Sequence, residues 1–325
     1  MTWLTWRQHR SEMYTLGLLV AVIAAFLLAV GLQMHSLFPN GAGQCVGIDL
    51  TEACSTAIRR LNEEHGYASK MLNLFSLVPF LIGAFFGAPL VAREMEAGTW
   101  QFAWTQSVPR MRWLAVKLGA LALVTALLAG VFSAVITWYR QPIDVLDGRF
   151  NADAFDVEGL APAGYALFAF AVATAAGAVL RRSLPALAVA LGAFLAVRVF
   201  VGGWLRPNYQ EPQRLVEVVG AGDPADPGNP RMSTGTPTDW TIDTGYLDSS
   251  GRPLSLYDTF AMYSAAEKEG VKFSAYLHER GVQQWVEYQP AGRFWTFQLA
   301  ETAIFVGLAA ALLAFVVWRI KRRLF

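Results

Sequence analysis

Residues Tyr14–Met34 read YTLGLLVAVIAAFLLAVGLQM, 21 positions without a charge. A helix needs about 20 mostly apolar residues to cross the hydrocarbon core of a bilayer, so this stretch predicts a membrane span. Five further runs have the same character: Met71–Ala92, Trp113–Trp138, Pro162–Leu180, Leu184–Gly203 and Phe294–Trp318. The runs are continuous and do not alternate, which excludes a transmembrane barrel. The first run is longer than a signal-peptide core and no A-x-A-like cleavage site follows it, so it reads as a retained anchor.

Composition agrees. Of 325 residues, 54% are hydrophobic and only 16% charged, against roughly 25% charged in an average soluble domain. Mean hydropathy is +0.36. A formal charge of +1 gives no basis for nucleic-acid binding, which needs a strongly basic face. Two cysteines and aperiodic glycine exclude disulfide-scaffold and collagen-like classes. The reading is an all-α polytopic membrane protein of six transmembrane helices.

Basic loops stay in the cytoplasm. With the N-terminus inside, the inner segments hold eleven Lys and Arg residues, and the two shorter outer loops hold five against nine acids. Both termini are therefore expected in the cytoplasm of a multi-pass plasma-membrane protein. The organisation expected is 1–203 (a lead-in and helices one to five), 204–293 (a sizeable outer loop domain between helices five and six) and 294–325 (helix six and a basic tail).

The first outer loop carries Cys45 and Cys54. Both face an oxidising space on this topology, which suits a disulfide; two free thiols are the alternative. In the long third loop, Gly220–Pro237 reads as a linker. Ser255 with Asp258 then opens a helix that Gly270 stops, a second short helix covers Lys272–Arg280, and Gln283–Tyr288 is extended. Trp3, Leu4 and Trp6 beside Arg7 and Arg10 read either as an interfacial elbow helix or as an ordinary charged lead-in.

The loop after the second run is the most informative stretch: Ala92-Arg93-Glu94-Met95-Glu96-Ala97-Gly98-Thr99-Trp100, then Ser107-Val108-Pro109-Arg110-Met111-Arg112. It resembles the E-x-E-x-G-T and S/T-x-P-R-x-R/K pattern that membrane subunits of type-2 ABC exporters carry after their second span, with an ABCG-like topology. The resemblance implies that Arg93, Glu94, Glu96, Gly98 and Thr99 belong to a coupling helix docked on an ATPase subunit, with Pro109 and Arg110 at the turn into the third span. It further implies ABC ATPase subunits and a second permease subunit, identical or not, as partners. ATP and Mg²⁺ would then sit on the ATPase, with no cofactor in this chain. A solvated loop whose glutamates balance arginines is the plain alternative. Gln289–Gln298, with Glu301 and Phe305 following, resembles the start of the last span in uncharacterised permeases of actinobacterial ABC operons. The 90-residue third loop departs from the shortest family members.

Charges inside the runs are few: Lys117, Arg198 and Glu301. Lys117 lies one turn in and can reach the membrane surface. Arg198 and Glu301 would each cost on the order of 2.5–3.5 kcal/mol if left bare in lipid, so they pair, or face a polar cavity together, or else reach the surface separately. Gly83 and Gly87, and Ala173 and Gly177, have the small-xxx-small spacing of close helix contacts, within one chain or between two.

No phosphate-binding loop, clustered Cys and His, or nucleophile elbow is present, and no enzymatic reading has a footing. The leading expectation is an exporter permease. The alternatives are an anchored sensor with an outer ligand-binding domain, and a proton-coupled carrier using Glu301.

Overall fold

The computed structural model describes residues 2–45, 51–96, 110–144, 148–150, 152–220 and 238–323. In chain order these form α1 (Thr2–Ser36), α2 (Glu52–His65), α3 (Ala68–Phe75), α4 (Val78–Glu96), α5 (Arg110–Arg140), α6 (Ala161–Leu180) and α7 (Ser183–Phe200). Strands β1 (Gln213–Val218) and β2 (Trp240–Leu247), helices α8 (Leu256–Glu269) and α9 (Phe273–Glu279), strand β3 (Gln283–Gln289) and helix α10 (Phe294–Arg323) complete the order.

Among the described residues, five helical stretches are long and apolar enough to cross a membrane: Arg10–Ser36, Leu114–Arg140, Ala161–Leu180, Ser183–Asn208 and Ala291–Arg322. The run expected at 71–92 differs. It is divided into α3 and α4 at residues 76–77, which leaves Val78–Leu90 as a shorter apolar helix. Pro79 stands in the first turn of α4, where its missing N–H is tolerated. In an unbroken helix it would deprive the Phe75 carbonyl of a donor.

The expectation of an all-α chain is also corrected. The chain is mostly helical, but β1, β3 and β2 form a small antiparallel sheet in that order, with Val216 opposite Trp285 and Thr244 opposite Val286. β-branched and aromatic residues suit such a pleated surface. A cluster of Val219, Leu277 and Val282, joined by Tyr246, Leu254, Met262 and Phe273, packs α8 and α9 against the sheet. Ser255 and Asp258 close a reciprocal capping box on α8, and Gly270, at φ +66°, ends it.

Helix α6 is the centre of the bundle. It is apolar all round, and 16 of its 20 residues are buried, as a helix without a polar face must be. It contacts α4, α5, α7 and α10. The closest approach is to α4. A Cβ at Gly83 would lie 2.1 Å from the Ala166 carbonyl oxygen, and one at Gly87 would lie 2.3 Å from that of Phe170 and 3.0 Å from Ala173 Cβ. The small residues thus meet within one chain. On the other side, Val20, Leu27 and Met34 of α1 recur at helical spacing and pack with Ala129, Phe132 and Ile136 of α5. At the end of that pair, His35 stacks on Trp138 with ring centroids 4.5 Å apart. Cys45 and Cys54 are joined by a disulfide between the short turn Ala42–Cys45 and α2.

The α4–α6 contact makes a stability prediction. Gly83→Ala and Gly87→Ala force backbones apart and should each cost about 1–3 kcal/mol, the usual range for overpacking. Gly119→Ala and Gly130→Ala in α5, where nothing lies within 4 Å, should be neutral or stabilising. Thermal unfolding of the purified variants in detergent measures the contrast.

Candidate functional site

The sequence-predicted docking element brackets the α4–α5 connection. Arg93, Glu94 and Glu96 close α4 and Arg110 opens α5, whereas Gly98, Thr99 and Pro109 lie outside the described residues. Lys117, read as reaching the surface, is buried. The built polar chemistry lies at the opposite end of the bundle, the end that carries the sheet.

There Glu301 of α10 is fully buried. It is met by Arg206 rather than by Arg198. Arg206 Nε donates to Glu301 Oε2 at 2.8 Å and Nη2 donates to Oε1 at 2.7 Å. This two-pronged geometry is the strong form of an arginine–carboxylate pair. Tyr165 of α6 donates to Oε1 at 2.5 Å and Tyr209 donates to Oε2 at 3.4 Å. Arg206 Nη2 also donates to Asp156 Oδ1 at 2.5 Å, and its guanidinium lies 4.1 Å from the centre of the Phe155 ring. Arg198 of α7 pairs with the other oxygen of Asp156 at 2.9 Å and lies 4.8 Å above the Tyr165 ring. The expected direct Arg198–Glu301 pair is therefore replaced by a chain, Arg198–Asp156–Arg206–Glu301, whose formal charge is zero.

The physical reason is reach. The helix that begins with α7 does not stop at 203. It runs through a π-helical turn, Val201–Leu205, and a 3₁₀ turn, Arg206–Asn208, which carries Arg206 down to Glu301. Burial alone would raise the Asp156 carboxyl, but Arg206 and Arg198 beside it hold it below the usual carboxylate range.

A second cluster of two arginines and two carboxyls lies alongside. Arg140, at the end of α5, directs its Nε–H at Asp144 Oδ1 (3.1 Å) and its Nη2 at the Gly148 carbonyl (3.1 Å). Glu158 Oε1 stands 2.5 Å to the side of that Nε, off the N–H direction. Arg149 donates through Nε and Nη2 to Glu158 Oε2, both at 3.3 Å. Burial, and then the neighbouring Asp144 charge, push the Glu158 carboxyl up against the opposing pull of Arg140 and Arg149. Burial likewise raises Asp144.

Between the clusters Gln298 of α10 accepts from the backbone N–H groups of Leu160 and Ala161 at 3.0 and 2.8 Å, and donates to the Phe155 carbonyl at 3.0 Å. It supplies the start of α6 with acceptors that Leu160 as N-cap cannot provide. Gly159, at φ +68°, leaves room for that amide; a Cβ there would lie 2.8 Å from Gln298 Oε1.

Two open spaces adjoin these elements. A cleft of about 780 Å³ at the sheet end is lined by His35, Gln141, Asp144, Arg149, Thr238 and Trp295, among others. An apolar groove of about 350 Å³ runs between α4 and α7, along Leu81, Ala84, Phe85, Ala88, Leu184 and Leu187.

The paired charges allow two measurements. Removing one partner of a buried ion pair costs about 3–5 kcal/mol, so Arg206→Met and Glu301→Leu should each destabilise by that order, and the double variant by clearly less than their sum. Unfolding of the four proteins of the cycle tests this. The raised Asp144 and Glu158 carboxyls mean that the folded chain binds more protons there than the unfolded chain. Their contribution to stability is full below the ordinary carboxylate range and falls as pH rises through the raised values. Glu158→Gln should flatten that decline in melting temperature measured from pH 5 to 9.

The sequence model of the family described as ABC-2 membrane transporter related matches residues 17–206. No curated protein and no solved structure matches the chain. With more than half of its length matched, the chain belongs to the ABC-2 membrane transporter related family, which makes it a multi-pass permease of the ABC class and a transport subunit.

Proposed function

We propose that this permease is the membrane-spanning half of an ATP-driven exporter, with ATP and Mg²⁺ bound on separate ATPase subunits that dock on the connection between α4 and α5. The observation that carries this reading is the family match over residues 17–206. The docking assignment rests on the motif Arg93–Thr99 and Pro109–Arg110. In this reading both termini and the docking loop are cytoplasmic, the sheet end faces outward, and a second permease subunit completes the path. The ABCG-like topology and the actinobacterial type are part of the same proposal.

Only a difference in affinity between two states converts nucleotide binding into movement. The ATPase dimer that closes on ATP must therefore grip the loop better in one position of α4 than in another. The cargo would leave along the groove between α4 and α7, whose walls are mostly apolar with Glu12 and Ser183 among them and suit an amphipathic or lipophilic molecule better than an inorganic ion. Glu301 is a poor carrier site. Its two carboxylate oxygens are taken by Arg206, Tyr165 and Tyr209, which leaves no open face for an ion.

Glu96→Lys reverses a charge in the docking element. It should abolish permease-stimulated ATPase activity and export while leaving the amount of protein in the membrane unchanged. Stimulation and export at the original level in that variant would overturn the assignment.

A further inference from the structure

Two helical blocks meet at residues 76–77, and they pack on different partners. On one side α4 lies against α6 with no atom to spare, because Gly83 and Gly87 sit on the backbone of Ala166 and Phe170. Its hydrogen-bonding resumes at once, with Leu81 N–H on the Leu77 carbonyl at 3.0 Å. That side is a fixed block. On the other side α3 is eight residues long. It buries Ala68 and Leu72 in the cluster shared with α2, sets Phe75 edge-on to Phe132 of α5 at 6.3 Å, and turns Leu74 outward.

At the break itself, Arg198 Nη1 donates to the Ser76 carbonyl at 2.6 Å. The same guanidinium holds Asp156 at 2.9 Å. A hydrogen bond to a carboxylate is stronger than one to a neutral carbonyl. Were α7 and α4 to shift relative to one another, the bond to Ser76 would be the first of the two to yield. Asp156 is in turn fixed through Arg206 to Glu301, so the grip on the break reports the position of α7, α6 and α10 together.

We propose that α3 is a gate leaf hinged at residues 76–77, and that Arg198 is its latch, a positioning residue that holds the leaf closed through the Ser76 carbonyl. The hinge is a property of this chain alone; its use as the exit gate rests on the transport reading above.

The test uses the full-length protein in lipid nanodiscs with Leu72→Cys as reporter. Cys45 and Cys54 are bonded to each other and do not compete for a maleimide. Leu72 is fully buried, so its cysteine should label slowly. Arg198→Lys keeps the cluster neutral and its ammonium stays with Asp156, which releases Ser76; labelling should then rise at least tenfold. Leu121→Cys, fully buried in a different apolar cluster, serves as a second reporter and should not change. Equal rises at both positions mean general loosening and overturn the latch, as does no rise at position 72. With the ATPase subunits bound, ATP and Mg²⁺ should raise labelling at position 72 in the chain with Arg198 intact. A rise with Arg198→Lys but no response to nucleotide keeps the hinge and removes the transport reading.

Discussion

Mutual neutralisation of largely buried charges holds one end of this bundle together. Arg198 and Arg206 of the extended α7, Asp156 of the connection before α6 and Glu301 of α10 come from three stretches of chain, and removing any one leaves a largely buried charge without its partner. That requirement draws the end of α7 toward α10 and pins the single turn Ala152–Phe155 beneath them. It also fixes Tyr165, and with it the start of the central helix. Gln298 does the same with neutral groups one turn away on α10. The sheet is built on this foundation: Trp240 stacks on Phe150, and Gln289 donates to the Gln210 carbonyl at 2.7 Å.

Much of this was legible in the sequence, and the failures have definite causes. Apolar runs locate helices because burial depends on composition. They do not register a break in backbone hydrogen bonding inside an apolar run, and so α3 and α4 read as one span. Pro79 was the available signal. Arg206 was missed as a partner because the run was ended at Gly203, where the two glycines lower hydropathy without stopping the helix. Arg198 and Arg206 are eight residues apart, about two helical turns, and that spacing already places them on one face. A charge tally that sets topology weighs Asp156 and Glu158 with the other outer acids and carries no information on which acid is buried. The strands β1 and β2 are separated by 21 residues, and their pairing through β3 is a long-range contact that no local pattern reveals.

Two kinds of polar residue thus divide the labour in this family member. Those at the α4–α5 connection are described by motif, and their work is proposed to be done against another polypeptide. Most of those at the sheet end are paired inside the chain, by partners within hydrogen-bonding distance. The first kind is read from local sequence and the second only from the fold.

The zero sum of the buried cluster has an electrical consequence. Two guanidinium groups and two carboxylates that shift as a unit transfer no net charge along the membrane normal, so the transmembrane voltage does no work on them. Splitting the unit would expose a single charge to the field, at about 2.3 kcal/mol for each 100 mV crossed. A rearrangement that keeps the four together therefore moves no net charge of theirs through the field.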